Sequence, residues 1–124
     1  MEMHDLHDIT SQLTEAQRLY DICDYDRSRI VADKVAGVLE HAHREESIEY
    51  SEAMRIFGMA SYRMNDLAMA DGALVFAYNA RNKAGFGSDD IAKEILMALS
   101  EVAILRSDTI RANEMLELLH TASE

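Results

Sequence analysis

Apolar and small residues recur at steps of three and four along most of this chain, and the middle stretch shows the pattern most plainly. From Ala53 the spacing runs through Ile56, Phe57 and Ala60 to Met64, is broken by the polar pair Asn65-Asp66, and resumes through Ala70, Leu74 and Ala77. That sequence predicts a helix, a tight turn and a second helix, with Asp66 as the N-cap of the second.

Shifted by 42 residues in either direction, the pattern returns. Asp24, Asp66 and Asp108 stand at successive mid-turns. Ala16, Gly58 and Ser100 precede them by eight residues, and Ser28, Ala70 and Ala112 follow by four. Tyr20, Tyr62 and Ile104 share one apolar position, and Ala32, Leu74 and Leu116 share another. Antiparallel helices approach closely only where small side chains face each other and bulkier residues seal the contact a turn away. Gly58 and Ala70 are therefore expected to meet where the middle pair crosses.

The expected architecture is all-α: one domain over residues 1–124 with repeats near 9–50, 51–92 and 93–124. Its three antiparallel helix pairs are predicted at about 8–23 with 25–43, 47–64 with 66–82, and 89–106 with 108–122. Ser47 and either Ser88 or Asp89 are candidate N-caps, and Gly85 and Gly87 end the fourth helix in the longest loop. That glycine-containing loop follows no strand and lacks a Lys-Ser/Thr, so it reads as a turn rather than a phosphate cradle.

Composition supports the helical reading. There is no proline, and five glycines are few for a turn-rich fold. The formal charge is −11, divided as −7 over residues 1–50 and −4 over the rest. Such a field repels phosphate backbones and anionic lipid, which sets nucleic acid and membrane aside and favours a basic partner. No run reaches the roughly 18–20 apolar residues of a membrane span. A single cysteine, Cys23, and an N-terminus with no basic-then-apolar signal pattern lead to the expectation of a reducing cytoplasm.

The middle unit resembles a tetratricopeptide repeat. The family's large-x-x-Leu-Gly pattern corresponds to Met54-x-x-Phe57-Gly58, its later Ala-x-x-x-aromatic to Ala70-x-x-x-Leu74, and its turn to Asn65-Asp66-Leu67. Ser61 stands where tyrosine is common, and the closing proline is missing. The third unit keeps Leu96, Leu99, Ser100, Ala112, Leu116 and Leu119 in matching places, while Gln12 and Glu15 make the first degenerate. The likeness covers residues 9–120, with the middle unit alone specific. Its period exceeds the usual ~34 residues and is similar to the long-helix version of kinesin light chains and bacterial repeat regulators.

The resemblance implies a right-handed helical stack that binds a protein or peptide on its concave face and uses no cofactor. Carried over by position, that face takes Gln17, Tyr20 and Asp21 from the first pair. It takes Arg55, Met59, Tyr62 and Arg63 from the second, and Met97, Glu101 and Leu105 from the third. The Lys/Asn set with which some adaptors clamp a C-terminal carboxylate is absent.

A second class of reading is a small enzyme or metal protein. His4 and His7 lie one turn apart among acidic residues, and His41-x-His43 precedes Glu45-Glu46. Neither spacing matches a catalytic motif, and solvated helix ends account for both pairs more simply. Cys23, flanked by Asp21 and Asp24, has no adjacent base and is expected to be a half-buried small residue. The carboxylates are spaced as solvated faces, so catalysis is not expected. Met54 and Met64 read as core filling and Met59 as a binding methionine. In the final helix, Ala112, Leu116 and Leu119 are expected to pack inward. Ile110, Met115 and Leu118 are left without cover, which points to a homodimer, or a stable hetero-partner, through this end.

Overall fold

The computed structural model describes residues 3–123, with side chains from Asp8 onward. Six helices follow one another: α1 (Met3–Asp21), α2 (Tyr25–His41), α3 (Ile48–Arg63), α4 (Leu67–Lys83), α5 (Asp90–Leu105) and α6 (Thr109–Ala122). No strand occurs among the described residues. The second helices begin at Tyr25, Leu67 and Thr109 and the first helices end at Asp21, Arg63 and Leu105, so the 42-residue interval holds at residue level.

The turns repeat at the same interval. Within each pair the helix ends in a left-handed residue, at Cys23 (φ 65°), Asn65 (φ 61°) and Ser107 (φ 59°). Between pairs the left-handed positions are His43 (φ 58°) and Gly85 (φ 93°). Around each, two amides return to the last helical turn; Asp66 N–H donates to Ser61 O at 2.9 Å and Asn65 N–H to Tyr62 O at 3.0 Å. This double closure satisfies carbonyls that the helix end would leave open. Cys23 is thus an exposed turn residue rather than a half-buried helical one, and its conformation explains why it sits outside the core.

The following helices start on capping side chains. Asp24 accepts from Arg27 N–H at 3.4 Å, Asp108 from Arg111 N–H at 3.1 Å, Ser47 from Tyr50 N–H at 3.1 Å and Asp89 from Ala92 N–H at 2.9 Å. Asp66 holds the N-cap position but makes no side-chain cap. Its carboxylate instead accepts from Arg29 Nη1 of α2 at 3.0 Å, linking the first pair to the second.

Small residues do meet at the crossings. Ser28 Oγ donates to Ala16 O at 2.8 Å, both fully buried, so the hydroxyl lies against the backbone of the facing helix. In the middle pair the nearest neighbour of Gly58 is Leu74, one turn beyond Ala70. A Cβ on Gly58 would stand 2.7 Å from Leu74 Cγ and 3.3 Å from Leu74 N. Gly58 therefore makes room for a large, fully buried leucine, while Ala70 packs in the cluster between α4 and α5.

Consecutive helices pack on each other, and α1 also touches α3, as α3 touches α5. The backbones of α2 and α4, and of α4 and α6, stay apart, although the side chain of Arg111 in α6 reaches Asp71 of α4 at 3.0 Å. The first helices thus form a tight inner row and the second helices a splayed outer one. Inter-pair cores fill the space between. One joins Ile9, Val35, Leu39, Tyr50 and Ala53, another joins Leu74, Ala77, Ile95, Leu99 and Val102, and a smaller one joins Ala16, Ala32 and Ile56. Burying a leucine or isoleucine of this kind contributes about 1.5–3 kcal/mol. Met54 lies against two of these clusters, whereas Met64, at the end of α3, is exposed.

Glycine substitutions give opposite signs according to these surroundings. Gly58→Ala is expected to lower stability by about 1–3 kcal/mol through overpacking against Leu74. Gly72→Ala, in mid-helix with nothing within 4 Å of the added carbon, is expected to raise it by about 0.5–1 kcal/mol. Urea unfolding of the two variants checks both; equal shifts in the same direction would contradict the crossing geometry.

Candidate binding surface

The inner row brings together the positions carried over from the repeat pattern. Tyr20 of α1 accepts from Arg63 Nε of α3 at 3.2 Å, and Tyr62 Oη of α3 donates to Glu101 Oε2 of α5 at 3.3 Å. These two bonds run across the row, each joining one first helix to the next. Tyr20 also meets Tyr25 edge-on with ring centres 5.3 Å apart, which holds its hydroxyl toward Arg63. The Tyr62 hydroxyl is pushed up, first by loss of water around it and then by the Glu101 carboxylate. The hydrogen bond that Arg63 donates to Tyr20 likewise raises Arg63.

Other members of the set play different parts. Met97, Glu101, Leu105, Asp21 and Arg63 are exposed on this side, and Met59 is half-buried against the α4–α5 cluster. Gln17 Nε2 donates to Asp21 Oδ1 at 2.9 Å, orienting both. Arg55 is not free for a partner: its side chain is 13% exposed. It donates to Gln17 Oε1 at 2.8 Å and to Glu52 Oε2 at 2.9 Å, with Glu94 of α5 at 3.8 Å. It acts as a tie between the three first helices.

Glu52 extends this tie inward to Arg81, whose Nη1 lies 3.4 Å from Glu52 Oε1. Arg81 is buried and grips Asp89 with two bonds, Nε at 2.8 Å and Nη2 at 2.6 Å, while its guanidinium lies over Phe86. The Arg81 bond holds the Asp89 carboxyl below its ordinary value. Glu52 and Arg81 escaped the reading of the sequence, yet a signal was present: Arg81 occupies the repeat position that Leu39 fills in the first pair. A charge replacing a core leucine must be held by partners, and here it is.

Beside the tie, α1 and α3 enclose a groove of about 420 Å³ lined by Leu13, Thr14, Gln17, Arg18, Asp21, Glu52 and Ile56. Leu13 and Ile56 supply its apolar part, and Asp21 and Glu52 give it carboxylate walls. Arg18 is paired with Glu15 at 2.7 Å, and Glu52 is held by Arg55 and Arg81.

The histidines are placed as follows. His4 and His7 precede the described side chains. His41 is exposed at the end of α2, and His43 is the left-handed residue of the turn beyond it. Among the described residues no three His, Cys, Asp or Glu side chains gather as a metal would require. No described helix is long and apolar enough to cross a membrane. Of the residues expected at the C-terminal surface, Ile110 (76% exposed) and Leu118 (43%) face water, whereas Met115 packs against the α4–α5 cluster. Leu116, expected to face inward, is 44% exposed.

No family model, no curated protein and no solved structure matches this chain.

Arg81→Met is expected to cost about 3 kcal/mol at pH 7, since it leaves Asp89 without its cation. A depressed folded-state carboxyl contributes stability above its unfolded value of 3.8 and loses it as pH falls through the folded value. The difference between the parent and the variant should therefore narrow below about pH 4. Urea titrations at several pH values check this, and a gap that stays constant into acid would contradict the assigned role.

Proposed function

We propose that this chain is a non-catalytic module of tetratricopeptide type, an adaptor, chaperone or regulator of the cytoplasm. Its inner row holds a protein or peptide segment. The observation that carries the reading is the α1–α3 groove, with Leu13 and Ile56 between the carboxylates of Asp21 and Glu52. Beyond it lie half-buried Tyr62 and exposed Arg63, Met97 and Glu101. An apolar floor between acidic walls suits a segment that alternates apolar with lysine or arginine side chains. The net charge of −11 draws such a segment in. The Arg55 tie keeps the row in one arrangement, so little ordering remains to be done on binding.

Peptides selected on the immobilised protein from a random library provide the test. Selected sequences are expected to be basic and to shift the amide resonances of α1, α3 and α5. Asp21→Lys and the double variant Tyr62→Ala/Arg63→Ala are each expected to weaken binding by roughly 10- to 30-fold. Shifts confined to the outer helices, or unchanged affinity in both folded variants, would overturn the reading.

A second reading, self-association through the C-terminal end into a homodimer, is favoured by a separate observation. The third pair leaves Ile104 and Leu116 in water at 59% and 44% exposure.

A further inference from the structure

A basic segment lying on the inner row meets one group of its own charge, the guanidinium of Arg63. Most arginines of the described chain pair with a carboxylate at 3.8 Å or closer. Arg63, exposed on the last turn of α3, makes no such pair. The ionisable side chains that act on it are Tyr20, Tyr25 and Tyr62, none of them a carboxylate.

The hydrogen bonds around this cation are one-sided. Arg63 Nε donates to Tyr20 Oη at 3.2 Å, while Nη1 and Nη2 meet no acceptor among the described residues. The Tyr20 hydroxyl accepts that bond and passes its own proton to no acceptor among the described residues. Together they offer donors alone: the outer edge of a guanidinium and one phenol O–H. Both are braced. The Tyr20 ring meets Tyr25 edge-on, with ring centres 5.3 Å apart, and Tyr25 Oη bonds to Cys23 Sγ at 3.3 Å. Tyr62 donates to Glu101, so its hydroxyl proton is already engaged.

Donors without an acceptor call for an anion, and the surroundings select its charge. Asp21, next to Tyr20 in the chain, and Glu101 are exposed carboxylates on this side. A phosphate, carrying about −1.5 to −2, is repelled by them and by the net charge of −11. A carboxylate brings a single charge, and its two oxygens match the flat edge of a guanidinium with two parallel bonds. The same cation discriminates among basic segments. One that sets lysine or arginine against Arg63 meets its like, whereas one that sets an acid there gains an ion pair.

Resting on the reading of the inner row as the holder of a basic segment, we propose that Arg63 and Tyr20 form a subsite for the side-chain carboxylate of one aspartate or glutamate in that segment. The segment is then mixed in charge. Its apolar side chains lie on Leu13 and Ile56, a lysine or arginine lies by Asp21, and the acidic residue follows at Arg63.

A synthetic peptide library, acetylated and amidated so that side chains carry the only carboxylates, tests this. It is screened on the parent protein, on Arg63→Gln and on Arg27→Gln, which removes the same charge from a side chain 71% exposed on α2. The parent is expected to select basic peptides with Asp or Glu at one fixed position. That preference should vanish on Arg63→Gln and persist on Arg27→Gln. In a selected peptide, replacing the acidic residue by its amide should weaken binding to the parent about 5-fold and leave binding to Arg63→Gln unchanged. Arg63→Lys keeps the charge without the fork and should restore only part of the difference. Full restoration by lysine overturns the two-bond contact, and tighter binding of a phosphoserine at that position overturns the carboxylate. Basic peptides with no acidic position, or an acidic preference that survives Arg63→Gln, overturn the subsite and leave the basic-segment reading standing. Selection of no basic peptides on the parent overturns both.

Discussion

Where α1 crosses α2, a serine hydroxyl rests 2.8 Å from the carbonyl oxygen of a fully buried alanine on the facing helix. Where α3 crosses α4, a glycine gives the same nearness to a leucine. The rest of the stack depends on this nearness. A pair closed this tightly presents a continuous apolar surface on either side, and the next pair can cover it with Ile56 or Ile95. A pair held apart by a larger residue would leave a trough that no side chain of the next unit fills. The serines keep the approach close without stranding a polar group: Ser28 and Ser51 each spend their hydroxyl on a carbonyl of the neighbouring helix. No buried side-chain nitrogen or oxygen among the described residues lacks a partner.

On that frame, charge does a second kind of work. Arg29, Arg55, Arg81 and Arg111 each cross from one element to another to reach a carboxylate. In a chain with far more acids than bases, the few arginines are spent at the joints between units. Lysine could not replace Arg81, because two parallel bonds to Asp89 need the planar fork of a guanidinium. Arg63 is the exception. It leans on a tyrosine hydroxyl rather than a carboxylate, and so remains the cation most open to a partner on the inner row.

Much of this was legible in the residues. The recurrence of Asp24, Asp66 and Asp108 with small residues at fixed distances placed all six helices, because periodicity and capping are local properties. The left-handed turn residues were not legible, since Cys23, Asn65 and Ser107 share a conformation without sharing a side chain, and only Gly85 carries the usual mark. Side-chain direction on the final helix was also misjudged: Met115 lies inside and Leu116 outside. One helix face cannot be told from its neighbour, 100° away, until the packed partner is known. Inner-row membership of Tyr20, Tyr62 and Glu101 followed from the register, but the diversion of Arg55 to Gln17 and Glu52 required their distances.

The touching of the first helices has a mechanical consequence. First helices touch one another down the stack, each second helix packs on the first helix that follows it, and among the second helices α4 reaches α6 through Asp71 and Arg111. Spreading or closing of the outer row would slide α2 on α3 and α4 on α5 and strain the Asp71–Arg111 bridge, with the contacts between first helices as the pivot.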